Sequence, residues 1–162
     1  MIVHCSCGQV EFEAKGKPIL TSVCYCDDCQ KASHQLESLP GAPRLIGEDG
    51  GTPYVLYRKD RVVLLKGKEL LQDHRQEGEA FTKRVVASCC HSAMYLEYEK
   101  GHWFSFFRDR LAGPVPSVQM RIQTQFKPKN AVLPSDAPAF KAFPPRFIFR
   151  LLLSKLAMLL RM

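Results

Sequence analysis

Seven cysteines, all within the first ninety of 162 residues, constrain this chain more than any other feature: Cys5 and Cys7, then Cys24, Cys26 and Cys29, then Cys89 and Cys90. A chain of this length buries a hydrophobic core without covalent staples, so the thiols need an explanation other than small size. Their number is odd, no basic-then-apolar leader opens the sequence, and several sit too close together to pair with one another. These features argue against a secreted disulfide scaffold and for metal ligation in a reducing, cytoplasmic setting. Zinc is the expected ion, because it takes four ligands and thiolate sulfur both neutralises it and binds it well.

Seven thiols divide naturally into four plus three. A four-cysteine site is closed and structural, whereas a three-cysteine site leaves one position open to water or substrate. The C-x-C-x-x-C run supplies three ligands locally, which assigns Cys24, Cys26 and Cys29 to the open site. Cys5 and Cys7 then take Cys89 and Cys90 as distant partners. Adjacent cysteines reach one ion only through awkward backbone geometry, so His91, His4 or water stands as an alternative fourth ligand. A redox pair at Cys89-Cys90 is a further alternative, one that leaves the closed site short of ligands.

The segments around the cysteines read as strands and turns, which makes the fold mainly β. Met1 to Phe12 alternates polar and apolar residues and suits a hairpin with Cys5 to Gly8 at its turn. Ile19 to Tyr25 leads into the second cluster, and a short helical piece follows over Gln30 to Leu39. The Pro- and Gly-rich stretch from Pro40 to Gly51 is expected to form a flap over the surface that the cysteines build. Tyr54 to Tyr57 and Arg61 to Leu65 predict a strand pair about Lys59-Asp60, and Phe81 to Ala87 and Met94 to Tyr98 predict strands on either side of Cys89-Cys90. The chain thereby divides into a β domain over 1–100, an irregular aromatic- and Pro-rich extension over 101–145, and an amphipathic helix over 146–162.

On that helix Arg146, Arg150, Ser154 and Arg161 share a narrow stripe, while Phe147, Ile148, Leu151, Leu152, Leu156 and Leu159 cover the remainder and Lys155 lies off the stripe. At roughly 25 Å it is too short to cross a bilayer. Its apolar surface needs a cover, and the chain's own domain or a second copy in a homodimer is expected ahead of a membrane surface. Residues 1–90 carry twelve Lys+Arg against twelve Asp+Glu and residues 91–162 eleven against four, so the net charge of +7 lies wholly after the last cysteine. No pattern of a nucleic-acid reader accompanies that charge, and nucleic acid is not an expected partner. Neither a serine-histidine-acid set nor a glycine-rich phosphate loop is present.

The order Cys5-x-Cys7-Gly8-x-Val10-x-Phe12, then Cys24-x-Cys26-x-x-Cys29-x-Lys31, then a cysteine pair after a strand containing Arg84, resembles the glutathione-dependent formaldehyde-activating enzymes, whose domain is shared with centromere protein V. The resemblance covers about residues 1–98 and implies a β-tent, in which small antiparallel sheets bracket a structural zinc and a second zinc sits at the C-x-C-x-x-C. The implied activity is joining of a thiol, glutathione, to a small aldehyde, formaldehyde, a carbon–sulfur bond reaction classed with lyases. Cys26 would then be central to catalysis, His34 a proton shuttle, and Asp27 and Asp28 supports for the ligands. The chain departs from the family at Cys89-Cys90-His91, where C-x-x-C-Gly is usual, and at His34, where glycine is common. The alternative is a non-catalytic zinc-structured module that contacts a partner through its basic C-terminal part.

Overall fold

Strand β4 (Thr52–Arg58) is apolar at successive positions from Tyr54 to Tyr57, all four of them buried. A strand of this kind must be covered on both faces. Strand β2 (Glu11–Ala14) instead alternates, with Phe12 and Ala14 buried and the glutamates half-exposed, which suits a sheet covered on one side. The computed structural model, which describes residues 1–76, 78 and 81–161, satisfies both demands with two sheets.

The smaller sheet joins β1 (Ile2–His4), β2 and β5 (Val62–Lys66) in that order. The larger holds β3 (Leu20–Cys24), β4, β6 (Leu71–His74), β7 (Thr82–Ala87), β8 (Ser92–Tyr98), β9 (Trp103–Phe107) and β10 (Met120–Ile122), ordered β10-β3-β4-β9-β8-β7-β6. Every pairing is antiparallel except β10 with β3, where Met120 lies opposite Ser22 in a parallel edge. Val55, Tyr57, Val85, Met94 and Phe106 project from one face of the large sheet onto Val3 and Phe12 of the small one and Val10 of its β1–β2 turn. Phe12 meets Phe106 and Tyr95 edge-on, with ring centroids 5.8 and 5.7 Å apart. Tyr54, Leu56, Val86 and Phe107 project from the other face, which helices α1 (Asp27–Glu37) and α2 (Pro145–Leu159) cover. The protein is therefore mainly β with a C-terminal helix.

Several expectations change in the folded chain. β4 and β5 do not form a hairpin: β4 pairs with β3 and β9, while β5 crosses to β2 in the small sheet. The reason is that β5 buries one face alone. Val62 and Leu64 are half-buried against the core whereas Val63 and Leu65 are exposed, an alternation hidden in the sequence because all four are apolar. Helix α1 begins three residues before Gln30, with Cys26 as N-cap and Asp27 and Asp28 in its first turn, where the helix dipole favours negative charge. The stretch 101–145 supplies β9 to the middle of the large sheet and β10 to its edge.

The loop over 40–51 is tied to the end of α1 and to that edge. The Leu45 and Ile46 N–H groups donate to Glu37 Oε1 at 2.6 and 2.8 Å, and Asp49 Oδ2 accepts from Tyr25 at 2.6 Å and from Arg121 at 2.7 Å. Gly51 admits the close approach, since a Cβ there would fall 2.3 Å from Val23 Cγ1 and 2.7 Å from the Tyr25 ring. Helix α2 docks through Phe147 and Leu151, with Ser154 Oγ 2.6 Å from His102 Nε2, and most of its remaining apolar surface is exposed. Among the described residues no helix is long and apolar enough to cross a membrane.

Candidate metal centres

The three cysteine clusters converge into two groups. Cys5 and Cys7 lie in the β1–β2 turn, and Cys89 and Cys90 in the β7–β8 turn. All four sulfurs lie within 4.8 Å of one another. Sγ separations are 3.5 Å for Cys5–Cys7, 3.8 Å for Cys5–Cys89, 3.3 Å for Cys7–Cys89 and 3.9 Å for Cys89–Cys90. A tetrahedron of thiolates on zinc has edges of about 3.8 Å, whereas a disulfide requires ~2 Å, so the spacing fits an ion and not a bridge. This group ties the small sheet to the large one.

Cys89 and Cys90 both join the group, and neither His91 nor His4 does. His91 Nδ1 lies 2.7 Å from the Pro40 carbonyl and His4 Nδ1 3.0 Å from that of Cys5. The backbone difficulty of adjacent cysteines is absorbed at His91, whose φ of 52° is left-handed and reverses the chain directly after Cys90. Second contacts orient the sulfurs. Val10 N–H donates to Cys5 Sγ at 3.2 Å, and Cys90 Sγ lies 3.2 Å from Ser92 Oγ, which also accepts from the Ser6 N–H. Burial raises the Cys90 thiol, but hydrogen bonds from the side chains of Ser6 and Ser92 and from backbone N–H groups outweigh it and bring the thiol down to about 5.

The second group is Cys24 at the end of β3, Cys26 at the N-cap of α1 and Cys29 in the first turn of that helix. Cys24 and Cys26 are 3.4 Å apart at sulfur, and the Cys29 N–H donates to Cys26 Sγ at 3.4 Å. Hydrogen bonds from the Cys24 and Cys29 thiols, then the Cys29 N–H and the charge of Arg84, hold Cys26 near 3 despite its burial. The Cys24 thiol is correspondingly pushed well up, first by its bond to Cys26. One thiolate stabilised by two thiols at a helix N-terminus is a donor set ready for a soft cation.

All three of these sulfurs border a cavity of about 240 Å³, which none of the other four cysteines reaches. Its walls are mostly apolar, with Leu56, Leu96, Trp103 and Phe147 prominent, and Arg84, Tyr54 and Asp28 supply polar groups. Phe143 and Phe147 close it from the C-terminal part, whereas no residue of the 40–51 loop lines it, so the expected flap is formed by a different segment. His34 does not line the cavity either: it is exposed in the last turn of α1, too far along the helix to stand over Cys26. Asp27 and Asp28 are exposed, and it is the Asp28 carbonyl that receives Arg84, at 3.4 Å.

Each group has a buried arginine that the cysteine spacing does not announce. Arg84, 2 % exposed, lowers Cys26 by its charge. Arg110, 8 % exposed, donates to Ser92 Oγ at 3.3 Å and feels the charges of Cys90 and Cys5. Three or four thiolates around a divalent ion leave excess negative charge, and a buried guanidinium offsets it. The sequence carried little signal of this, because Arg84 follows Thr82 and Lys83 and stands just ahead of the apolar run Val85 to Ala87 on β7, where an arginine reads as exposed. The residues present therefore fit zinc at both groups.

The fold and these two thiol groups define a two-sheet β protein with two cysteine groups whose geometry could hold metal ions. The model of the glutathione-dependent formaldehyde-activating enzyme family matches residues 1–41, the stretch that carries five of the seven cysteines and all of α1. This match supports the resemblance drawn from the cysteine spacing. The fold is similar to that in the crystal structure of a Rhodobacter sphaeroides protein, with a TM-score of 0.52 and 15 % identity over 86 % of this chain and 100 % of that one. No curated protein sequence matches the chain significantly.

Proposed function

We propose that the three-cysteine group is a catalytic zinc site that joins a thiol to an aldehyde, and that the four-cysteine group is structural. The observation that carries this reading is the cavity, which opens onto Cys24, Cys26 and Cys29 and onto no other cysteine. Cys24, Cys26 and Cys29 would hold the zinc, whose Lewis acidity would favour the thiolate form of an incoming thiol. In the addition the thiolate sulfur bonds to the carbonyl carbon, the carbonyl π pair moves to oxygen, and that oxygen takes a proton. The product is a hemithioacetal, with nothing oxidised or reduced.

The chain's own residues serve the ends of this reaction. The buried charge of Arg84 favours anionic sulfur beside Cys26. Leu56, Leu96 and Trp103 offer apolar surface to the carbon skeleton of the partners. Because His34 stands away from the cavity, the alkoxide takes its proton from water. Walls this apolar favour a less polar pair than glutathione and formaldehyde.

Exchange NMR on formaldehyde with glutathione, and on a longer aliphatic aldehyde with a simple alkyl thiol, tests the reading. The zinc-loaded protein is expected to accelerate exchange, more for the apolar pair, and Cys26→Ser is expected to abolish the effect. Equal rates for wild type and Cys26→Ser with both pairs would overturn it.

A further inference from the structure

Helix α2 leaves much of its surface without a partner, and the charge around that surface points to what covers it. Phe147, Leu151, Ser154 and Met158 fall on one side at 100° per residue and are buried or half-buried, as is Ala157 on the flank of that side. The opposite side is an unbroken apolar arc. Ile148, Phe149, Leu152, Leu156, Leu159 and the C-cap residue Leu160 are 45–71 % exposed there. Single exposed leucines are ordinary, but a contiguous arc of this kind marks an interaction surface.

The rim of the arc is cationic. Lys155 borders one edge, Arg146 and Arg150 the other, and Arg161 follows the helix, while no Asp or Glu occurs after Asp136. Arg146 donates to the Gln119 carbonyl at 3.2 Å and Arg150 to the Gln119 side chain. These bonds pin the inner edge to the domain and leave the apolar arc turned outward.

We propose that α2 is a membrane-surface element, which lays its apolar arc into the headgroup region of an anionic bilayer with the cationic rim against lipid phosphates and carboxylates. Fifteen helical residues lie along such a surface and cannot span it. A second copy of the chain would also cover the arc. It would bring two cationic rims together with no carboxylate on either helix, whereas an anionic surface meets the rim with opposite charge.

Co-sedimentation of the full chain with vesicles of phosphatidylcholine alone, and of phosphatidylcholine with about a third phosphatidylserine, tests this. Binding is expected to be about tenfold or more stronger to the anionic vesicles and to weaken with added salt. Leu152→Glu with Leu156→Glu, both at exposed positions, is expected to lower it by about tenfold or more while the melting temperature stays at the wild-type value. Lys155→Glu with Arg161→Glu is expected to remove the preference for phosphatidylserine even where the leucine pair disturbs folding. Equal binding to the two lipids would overturn the proposal. So would a concentration-dependent dimer, without vesicle binding, that the leucine pair dissociates.

Discussion

Replacing Cys89 and Cys90 together by serine removes one arm of the four-cysteine group, and the cost follows from how far apart in sequence that group reaches. Cys5 and Cys89 are 84 positions apart, and their turns belong to different sheets. A link closing a loop of that length restricts the unfolded chain by about 4.5 kcal/mol in the chain-entropy model. The ends of the three-cysteine group, Cys24 and Cys29, are five positions apart, for which the same relation gives about 2 kcal/mol. Cys89 and Cys90 are half-buried, so serine at these sites leaves no large cavity. For a domain of this size the melting temperature is expected to fall by about 10–18 °C in the double variant, against about 4–8 °C for Cys26→Ser. Thermal melts followed by circular dichroism, with zinc content measured on the same samples, test this. The double variant should lose one zinc per chain, and a chelator should destabilise the wild type by at least as much. A double variant that has lost its zinc but melts with the wild type, or a larger shift for Cys26→Ser, would refute the reasoning.

Two further predictions concern charge. Burial, then the charge of Lys155, depresses the pKa of His102, whose ring lies against Ser154 of α2. The unfolded chain therefore takes up the proton first, so stability present above the ordinary value of 6.5 is lost as pH falls from there toward the depressed folded value. Melts between about pH 7.5 and 5 should show this decline, and His102→Gln should flatten that part of the profile. Removing the charge of Arg84 raises the Cys26 thiol, and metal binding needs thiolate. Arg84→Met is therefore expected to shift upward, by about one pH unit, the pH below which a chelator strips the three-cysteine group. An unchanged midpoint would show that Arg84 does not support that site.

Much of the candidate chemistry was legible in the chain because its signals are local. Cys24, Cys26 and Cys29 lie within one strand end and one helical turn, so spacing alone predicts that their sulfurs meet. The pairing of Cys5 and Cys7 with Cys89 and Cys90 followed from the arithmetic of ligands, although the sequence left His91, His4 and water open as a fourth group. Packing brings Cys89 and Cys90, and neither histidine, into the group, since the left-handed turn at His91 lets both cysteines face the same point. Strand existence was likewise readable in β7, β8 and the first hairpin, where turn residues bracket apolar runs.

Tertiary structure alone settled which sheet each strand joined and what stands over the three cysteines. β4 and β5 adjoin in sequence yet part company, because one can be buried on both faces and the other on one, a distinction their shared apolar composition conceals. The cavity gathers Tyr54, Arg84, Trp103 and Phe147 from four separate elements, and no local pattern encodes a meeting of that range. His34 shows the converse. It lies near the cysteines in sequence, but eight positions along a helix from Cys26 carry it away from the cavity, because each helical residue adds a fixed rise and rotation that proximity in sequence cannot cancel.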